Sequence, residues 1–450
     1  MSGARVDGTP WAQAARTRAG VYAVGLTLGL PMVLLFASAV AAQTAQPARS
    51  NRGLFGPPDE NPKRQQSSDF TMGLSAGYDT NASDGQQAGP LIDPLAPAGL
   101  YSNLETAFRY TRGRRQRRLA FSAGNALRYE PQRHQLLTAN YEGGLTVTSP
   151  VWRGASVDLS QTAAYAPYYQ LELFPTFSVD AGQLPRAPSN DFGVWRQPTY
   201  AYTTTLHFAQ KLGARSAVLL EYDRRSVQFT GDASAFLTQG AAVRFTHRMT
   251  RYVGFHAAFG SRSGRYQGPS TANRPGTDDI DIGLDYNRPL SFSRRTTLSF
   301  SSGSSLIPQD GTRRYRVTGE ASLQHQIGRT WAAGLEYRRA LRFIEAFPKP
   351  FFSDAIAARL KGNLSRRVEF AVSGGYSAGE IGLAAEGGAF GTYTASALLG
   401  VALTRHCALA SEYLYYDYSF GQQPVAAAFP ARLNRQTARV TLKLWLPVLH

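Results

Sequence analysis

Hydrolytic or transfer chemistry needs a nucleophile or an activated water beside a general base, most often histidine. The seven histidines of the chain are therefore the first candidates. His247 and His406 fall in short basic connections and His134 in a short basic loop; His450 ends the chain, and His325 sits near a turn on an apolar face. Only His207 and His256 occupy polar faces, and neither stands in an active-site motif. No HExxH or CxxC spacing occurs and no phosphate-binding glycine loop stands out. Cys407 is the single cysteine, so no intramolecular disulfide can form. The residues point to no enzyme, no metal and no cofactor.

What remains is charge at alternate positions. Arg109, Arg118, Arg128, Arg244, Arg316, Arg338, Arg359, Lys361, Arg439 and Lys443 each fall on the polar face of a period-two pattern. So do Glu105, Glu142, Asp158, Glu221, Asp223, Asp281, Asp285, Glu320, Glu336, Glu369 and Glu412. These two sets are nearly balanced, although the whole chain carries +17. The excess sits in short clusters such as RGRRQRR (112–118), HRMTR (247–251) and SRR (365–367). Charge divided in this way does not make the single basic patch that nucleic acid requires.

The elements that must carry these charges are strands, because successive strand side chains point to opposite faces. Phe70, Met72, Leu74, Ala76 and Tyr78 alternate with Thr71, Gly73, Ser75, Gly77 and Asp79. Ala155, Val157, Leu159, Ala163 and Tyr165 alternate with Ser156, Asp158, Ser160 and Thr162. The same pattern recurs at 137–147, 280–286, 315–324 and 438–446. After residue 42 no apolar run approaches the roughly 18 residues of a membrane helix. A mature chain that spans a bilayer must then do so as a closed barrel, since only helices and barrels satisfy their backbone groups in hydrocarbon.

The connections support a barrel. About 18 strands (16–18) are expected, joined by links that alternate strictly between short (RGRRQ, TSPVWRG, KLGAR, HRMTR, NRPLSFSRR, IGR, LSRR, TRH) and long (among them 80–99, 166–198, 263–278, 339–352, 377–390, 418–433). Transmembrane barrels place short turns in the periplasm and long loops outside. The fold class predicted is all-β, a single antiparallel transmembrane β-barrel with both termini periplasmic. Tyr78, Tyr129, Tyr165, Tyr222, Tyr337, Tyr376 and Tyr415 lie late in strands that run toward a long loop. They are predicted to form the outer aromatic girdle, with Tyr110 and Tyr286 in the inner one. A charge on the lipid face costs several kcal/mol near the midplane, so the charged positions are assigned to the lumen, as candidate pore lining. At this strand number the lumen is too wide for side chains to fill, and water should enter it.

Three segments follow. Residues 1–42 have a basic start (Arg5, Arg16, Arg18), an apolar stretch and a small-residue end, which reads as a secretory signal peptide cleaved near Ala41 or Ala42. No arginine pair is adjacent there, which favours the general secretory route. Residues 43–68 are polar and rich in Pro, Gln and Arg, a disordered periplasmic leader. Residues 69–450 form the barrel.

Two segments carry a resemblance. GLSAGYDTNAS (73–83), with Tyr78, Asp79 and Asn81, resembles the first-strand signature of the type 2 family of outer-membrane β-barrel porins. NRQTARVTLKLWLP (434–447) is similar to that family's terminal strand. The resemblance implies association with exopolysaccharide systems and carries no catalytic residues. The chain departs from the usual aromatic ending of outer-membrane barrels, closing on Leu449-His450 with Trp445 just before. The function expected is a porin-like pore for small solutes or polysaccharide. The alternative is a non-conducting surface barrel for adhesion, scaffolding or one part of an export machine. Expected partners are outer-membrane lipid and lipopolysaccharide, the barrel-assembly machinery and polysaccharide, with no nucleic acid.

Overall fold

The computed structural model describes residues 66–82, 99–114, 117–131, 136–167, 169–170, 193–195, 198–230, 235–267, 276–290, 293–309, 312–343, 350–381, 388–421 and 432–449. Residues 1–42, read above as a signal peptide, and 43–65 of the expected leader lie outside the described residues. In chain order the strands are β1 Gln66–Ala82, β2 Gly99–Arg114, β3 Arg117–Glu130, β4 Leu136–Pro150, β5 Ala155–Ala166, the short β6 Tyr169–Gln170 and β7 Gly193–Trp195, β8 Thr199–Lys211, β9 Ser216–Phe229 and β10 Ala235–Arg248. They continue with β11 Val253–Gln267, β12 Gly276–Leu290, β13 Ser293–Gln309, β14 Thr312–Ile327, β15 Trp331–Arg342, β16 Phe351–Asn363, β17 Val368–Ile381, β18 Gly388–Ala402, β19 Cys407–Phe420 and β20 Arg432–Leu449.

All but β6 and β7 belong to one 18-stranded antiparallel sheet, and β1 pairs with both β2 and β20, so the sheet closes on itself. No helix occurs among the described residues. Closure removes every exposed strand edge, the requirement for crossing hydrocarbon without orphaned backbone groups. At the closing ladder Ser68 lies opposite Leu449, so both chain ends leave the barrel at the same rim.

That rim carries the tight turns. Gly113 and Gly328 adopt φ of 126° and 62° there, a left-handed backbone that other residues enter at a cost. At Gly113 a β-carbon would also run into the Arg117 carbonyl. Strict alternation of link lengths is not what the structure shows. Residues 310–311 alone join β13 to β14 on the far rim, and 131–135 and 230–234 are short as well. The links also prove shorter than the sequence suggested, because strands run on: β1 to Ala82, β17 to Ile381, β20 from Arg432. Beyond the bilayer both faces of a strand meet polar surroundings, so the apolar–polar contrast fades while the hydrogen-bonded ladder continues.

The two faces of the sheet differ as the period-two pattern demands. One row across neighbouring strands runs Leu220, Val243, Phe259, Ile280, each opposite the next in register. All four are exposed, on the convex surface. Further exposed aliphatics on that face include Leu74, Ile282, Val317, Leu335, Ile356 and Leu442. A band of this kind would be a severe liability in water and is at home in lipid.

Two ladders are irregular. Pairing between β12 and β13 skips from Asp279 to Asp285. Pairing between β14 and β15 covers only Gly319↔Arg339 to Ile327↔Trp331, although β14 stays with β13 up to Thr312 and β15 stays with β16 up to Arg342. Above Gly319 the two strands part. The β15–β16 tip turns toward the interior there: Leu341 and Phe352 pack together with Phe343. Phe343 lies over Gly264 of β11, where an added β-carbon would stand 3.2 Å from its ring and 3.7 Å from that of Phe236 on β10. Strands β10 and β15 are not neighbours in the sheet, so this contact crosses the lumen.

Candidate functional site

The concave face is identified by contacts that skip a strand, since side chains converge only on the inside of a closed sheet. Arg128 of β3 donates from Nη2 to Asp79 Oδ2 of β1 at 2.9 Å, over the intervening β2. Arg244 of β10 reaches Asp285 Oδ1 of β12 at 2.9 Å in the same way. Register then places every proposed lining residue on this face.

The structure brings most of these charges together in pairs. Arg439 donates two N–H groups to one oxygen of Glu412, with Nε at 2.9 Å and Nη2 at 2.6 Å from Oε2, and its Nη1 lies 3.6 Å from Glu105 Oε1. Arg338 stands 3.8 Å from Glu320, His207 3.9 Å from Glu221 and Arg316 3.5 Å from Glu380. His256 is fully buried between two carboxylates, Nε2 at 3.1 Å from Asp281 and Nδ1 at 3.0 Å from Asp285. Room for its ring comes from Gly283 opposite, where a β-carbon would sit 2.8 Å from Cε1. Asp158 accepts from Thr148 Oγ1 at 3.5 Å.

Others are placed by register and by packing across the ladder. Arg109 lies in register with Asp69, Glu142 with Gly124 and Ala164, Glu336 with Ser322 and Ala357, and Lys443 with Gly73. Arg359 packs over Gly334 and Glu369 over Gly400, where β-carbons would meet them at 3.2 and 2.7 Å. Charged chains laid flat across glycines of the next strand leave the lumen wider than upright ones would.

One cluster escaped the sequence reading. Asp79 accepts from Arg128 and from Arg435, with Arg435 Nε 2.8 Å from Oδ1. Arg128 also forms an ion pair with Glu130, Nε lying 2.8 Å from Oε1, and stands 3.7 Å above the Tyr101 ring, and Arg435 Nη1 reaches the Tyr416 hydroxyl at 3.2 Å. All of these side chains are buried. Asp79 and Arg435 stand in the two segments that carry the family resemblance, which was the available signal. Taking 80–99 and 418–433 as loops hid the strand ends that frame the cluster.

The inner wall is not open to water everywhere. Phe351, Phe390, Phe420 and Tyr418 form a chain of ring contacts at 5.1, 6.5 and 5.3 Å, and with Tyr416, Phe236 and Asn140 they are buried. At this level side chains pack against one another along the wall. Lower on the wall, Glu320, Arg338, His207 and Glu221 are 63, 53, 48 and 42 % exposed.

On the outside, Tyr78, Tyr129, Tyr222, Tyr337 and Tyr376 are exposed, while Tyr165 and Tyr415 are half-buried. They are joined by Tyr141 and Tyr200, which flank Tyr165 at 6.1 and 5.0 Å, and by Tyr393, 4.8 Å from Tyr376. Toward the other rim stand Trp152 with Phe208, Tyr286 with Phe300 and Trp331 with Phe370.

A closed 18-strand antiparallel sheet with an apolar waist, aromatic margins and a charged interior defines a transmembrane β-barrel. No family model matches the chain, and no curated protein matches it in sequence. Among solved structures it is similar to OccK2 (OpdF) of Pseudomonas aeruginosa in complex with glucuronate, at 8% identity and TM-score 0.44, covering 85% of this chain and 98% of that one. It is also similar to OccAB4 of Acinetobacter baumannii, at 12% identity and TM-score 0.43 over 86% and 100% of the two chains.

Proposed function

We propose that the chain is an outer-membrane porin-like pore for small polar solutes, with both termini in the periplasm and export through a cleaved signal peptide. The observation that carries this reading is the set of water-exposed charges inside a barrel whose outside is apolar: Glu320, Arg338 and Glu221, with the exposed His207 beside Glu221. Ionised groups half exposed inside a closed sheet require a hydrated lumen. Because most inner charges are paired, the field along the wall is weak. Hydroxyls alternate with the charges, among them the pairs Thr146–Ser160 at 3.3 Å, Ser299–Ser322 at 2.7 Å and Ser373–Ser396 at 2.7 Å. Such walls suit neutral polar solutes, including carbohydrate and polysaccharide.

Purified protein in planar bilayers is expected to give discrete conductance steps. In a salt gradient the reversal potential should lie close to zero, far from that of an anion filter, despite the net charge of +17. A strong anion preference would defeat the weakly selective pore. No conductance from folded protein would favour a non-conducting barrel, the reading to which the buried ring chain at Phe351 and Tyr418 would then belong.

Orientation has its own test. In a Cys407→Ala background, an impermeant maleimide on intact cells should label Thr230→Cys and leave Arg153→Cys untouched. The reverse pattern would invert the barrel.

A further inference from the structure

The rim that carries the tight turns repeats one device. In five turns the N–H of the first residue donates to the carbonyl four positions on: Val151 to Ala155 (3.2 Å), Leu212 to Ser216 (3.0 Å), Met249 to Val253 (3.0 Å), Leu364 to Val368 (2.9 Å) and Leu403 to Cys407 (2.9 Å). Their sequences are Val-Trp-Arg-Gly, Leu-Gly-Ala-Arg, Met-Thr-Arg-Tyr, Leu-Ser-Arg-Arg and Leu-Thr-Arg-His. Each therefore presents an exposed apolar side chain (Trp152, Leu212, Met249, Leu364 or Leu403) and, one to three residues later, an exposed arginine. The β14–β15 turn does the same with Ile327 and Arg329. None of these turns contains an aspartate or glutamate.

We propose that this rim is a collar that binds the headgroups of anionic phospholipids in the adjoining leaflet. The paired chemistry supports it: an apolar chain suits the acyl boundary, and a guanidinium beside it suits phosphate at one level higher. The distribution supports it too. The turns between β4 and β5, β8 and β9, β10 and β11, β14 and β15, β16 and β17, and β18 and β19 ring the barrel, as lipid does. A docked acidic protein would be met by one patch. Much of the surplus positive charge that the balanced lumen does not use thereby acquires a partner.

The inference rests on the barrel spanning a bilayer, so folding into phosphatidylcholine vesicles is scored first, by heat-modifiable gel mobility. Failure at that step strikes the spanning reading and not the collar. For folded protein, electron spin resonance compares motional restriction of spin-labelled phosphatidylglycerol with that of spin-labelled phosphatidylcholine. The anionic lipid is expected to associate about twofold or more in excess at low salt. The excess should shrink toward parity near ~0.5 M salt. Replacing Arg153, Arg215, Arg251, Arg329, Arg366, Arg367 and Arg405 by Gln should bring the ratio to parity, and Lys at the same positions should retain most of it. If the sevenfold variant does not fold, Arg153→Gln, Arg251→Gln and Arg405→Gln together should give a graded fall. Parity in the native protein, or a ratio unmoved by these changes, overturns the proposal. Parity accompanied by arginine-dependent binding of polyglutamate would give the rim to an acidic protein instead.

Discussion

Leu220→Arg is expected to destabilise the folded barrel strongly, while Glu221→Arg, one residue on, leaves it nearly intact. Leu220 lies on the convex face in register with Val243, within the apolar row that runs on to Phe259 and Ile280. An arginine there enters the hydrocarbon at a cost of about 2–4 kcal/mol near the midplane. Glu221 points inward and is 42 % exposed, 3.9 Å from an equally exposed His207. Losing so hydrated a pair costs about 1 kcal/mol or less. Urea titration of protein folded in vesicles would read both variants, and equal losses would mean that the faces are misassigned.

The second large effect is expected at the closing ladder. Asp79→Ala removes the carboxylate shared by Arg128 and Arg435, whose side chains are 4 and 7 % exposed. Breaking a buried ion pair from one side strands the charge that remains, typically at about 3–5 kcal/mol. Asp79 stands on the first strand and Arg435 on the last, so the loss falls on the contact that makes the sheet a ring. Asp79→Asn keeps an acceptor and should lose less. A urea midpoint for Asp79→Ala within error of the native one would show that the cluster contributes nothing to closure.

How much of this was legible in the sequence follows from where contrast exists. Mid-strand facing was legible, because lipid on one side and water on the other force alternation at positions such as Leu220 and Glu221. Strand ends were not, because Thr80, Asn81, Ser419 and Arg432 lie where that contrast fades and polar residues read as loop. The inward β15–β16 tip had a signal that went unused. Phe351 and Phe352 stand in the long link 339–352, and apolar side chains gathered there need a place to be buried. The pairing of individual lumen charges was out of reach: register fixes which strand is next door, and only then does Arg439 meet Glu412.

The interrupted ladders bear on the barrel as a mechanical hoop. A ring under outward tension is only as strong as its weakest joint, and in a chain closed on itself that joint is ordinarily sought where the two ends meet. Here β1 and β20 are zipped without a gap from Asp69 to Ala82 and cross-tied by Asp79 and Arg435. The yielding arc lies across the ring, between β12 and β15, where one ladder skips five residues and another stops at Gly319. Swelling or shearing of the hoop would thus be taken up far from the termini, leaving the clasp shut.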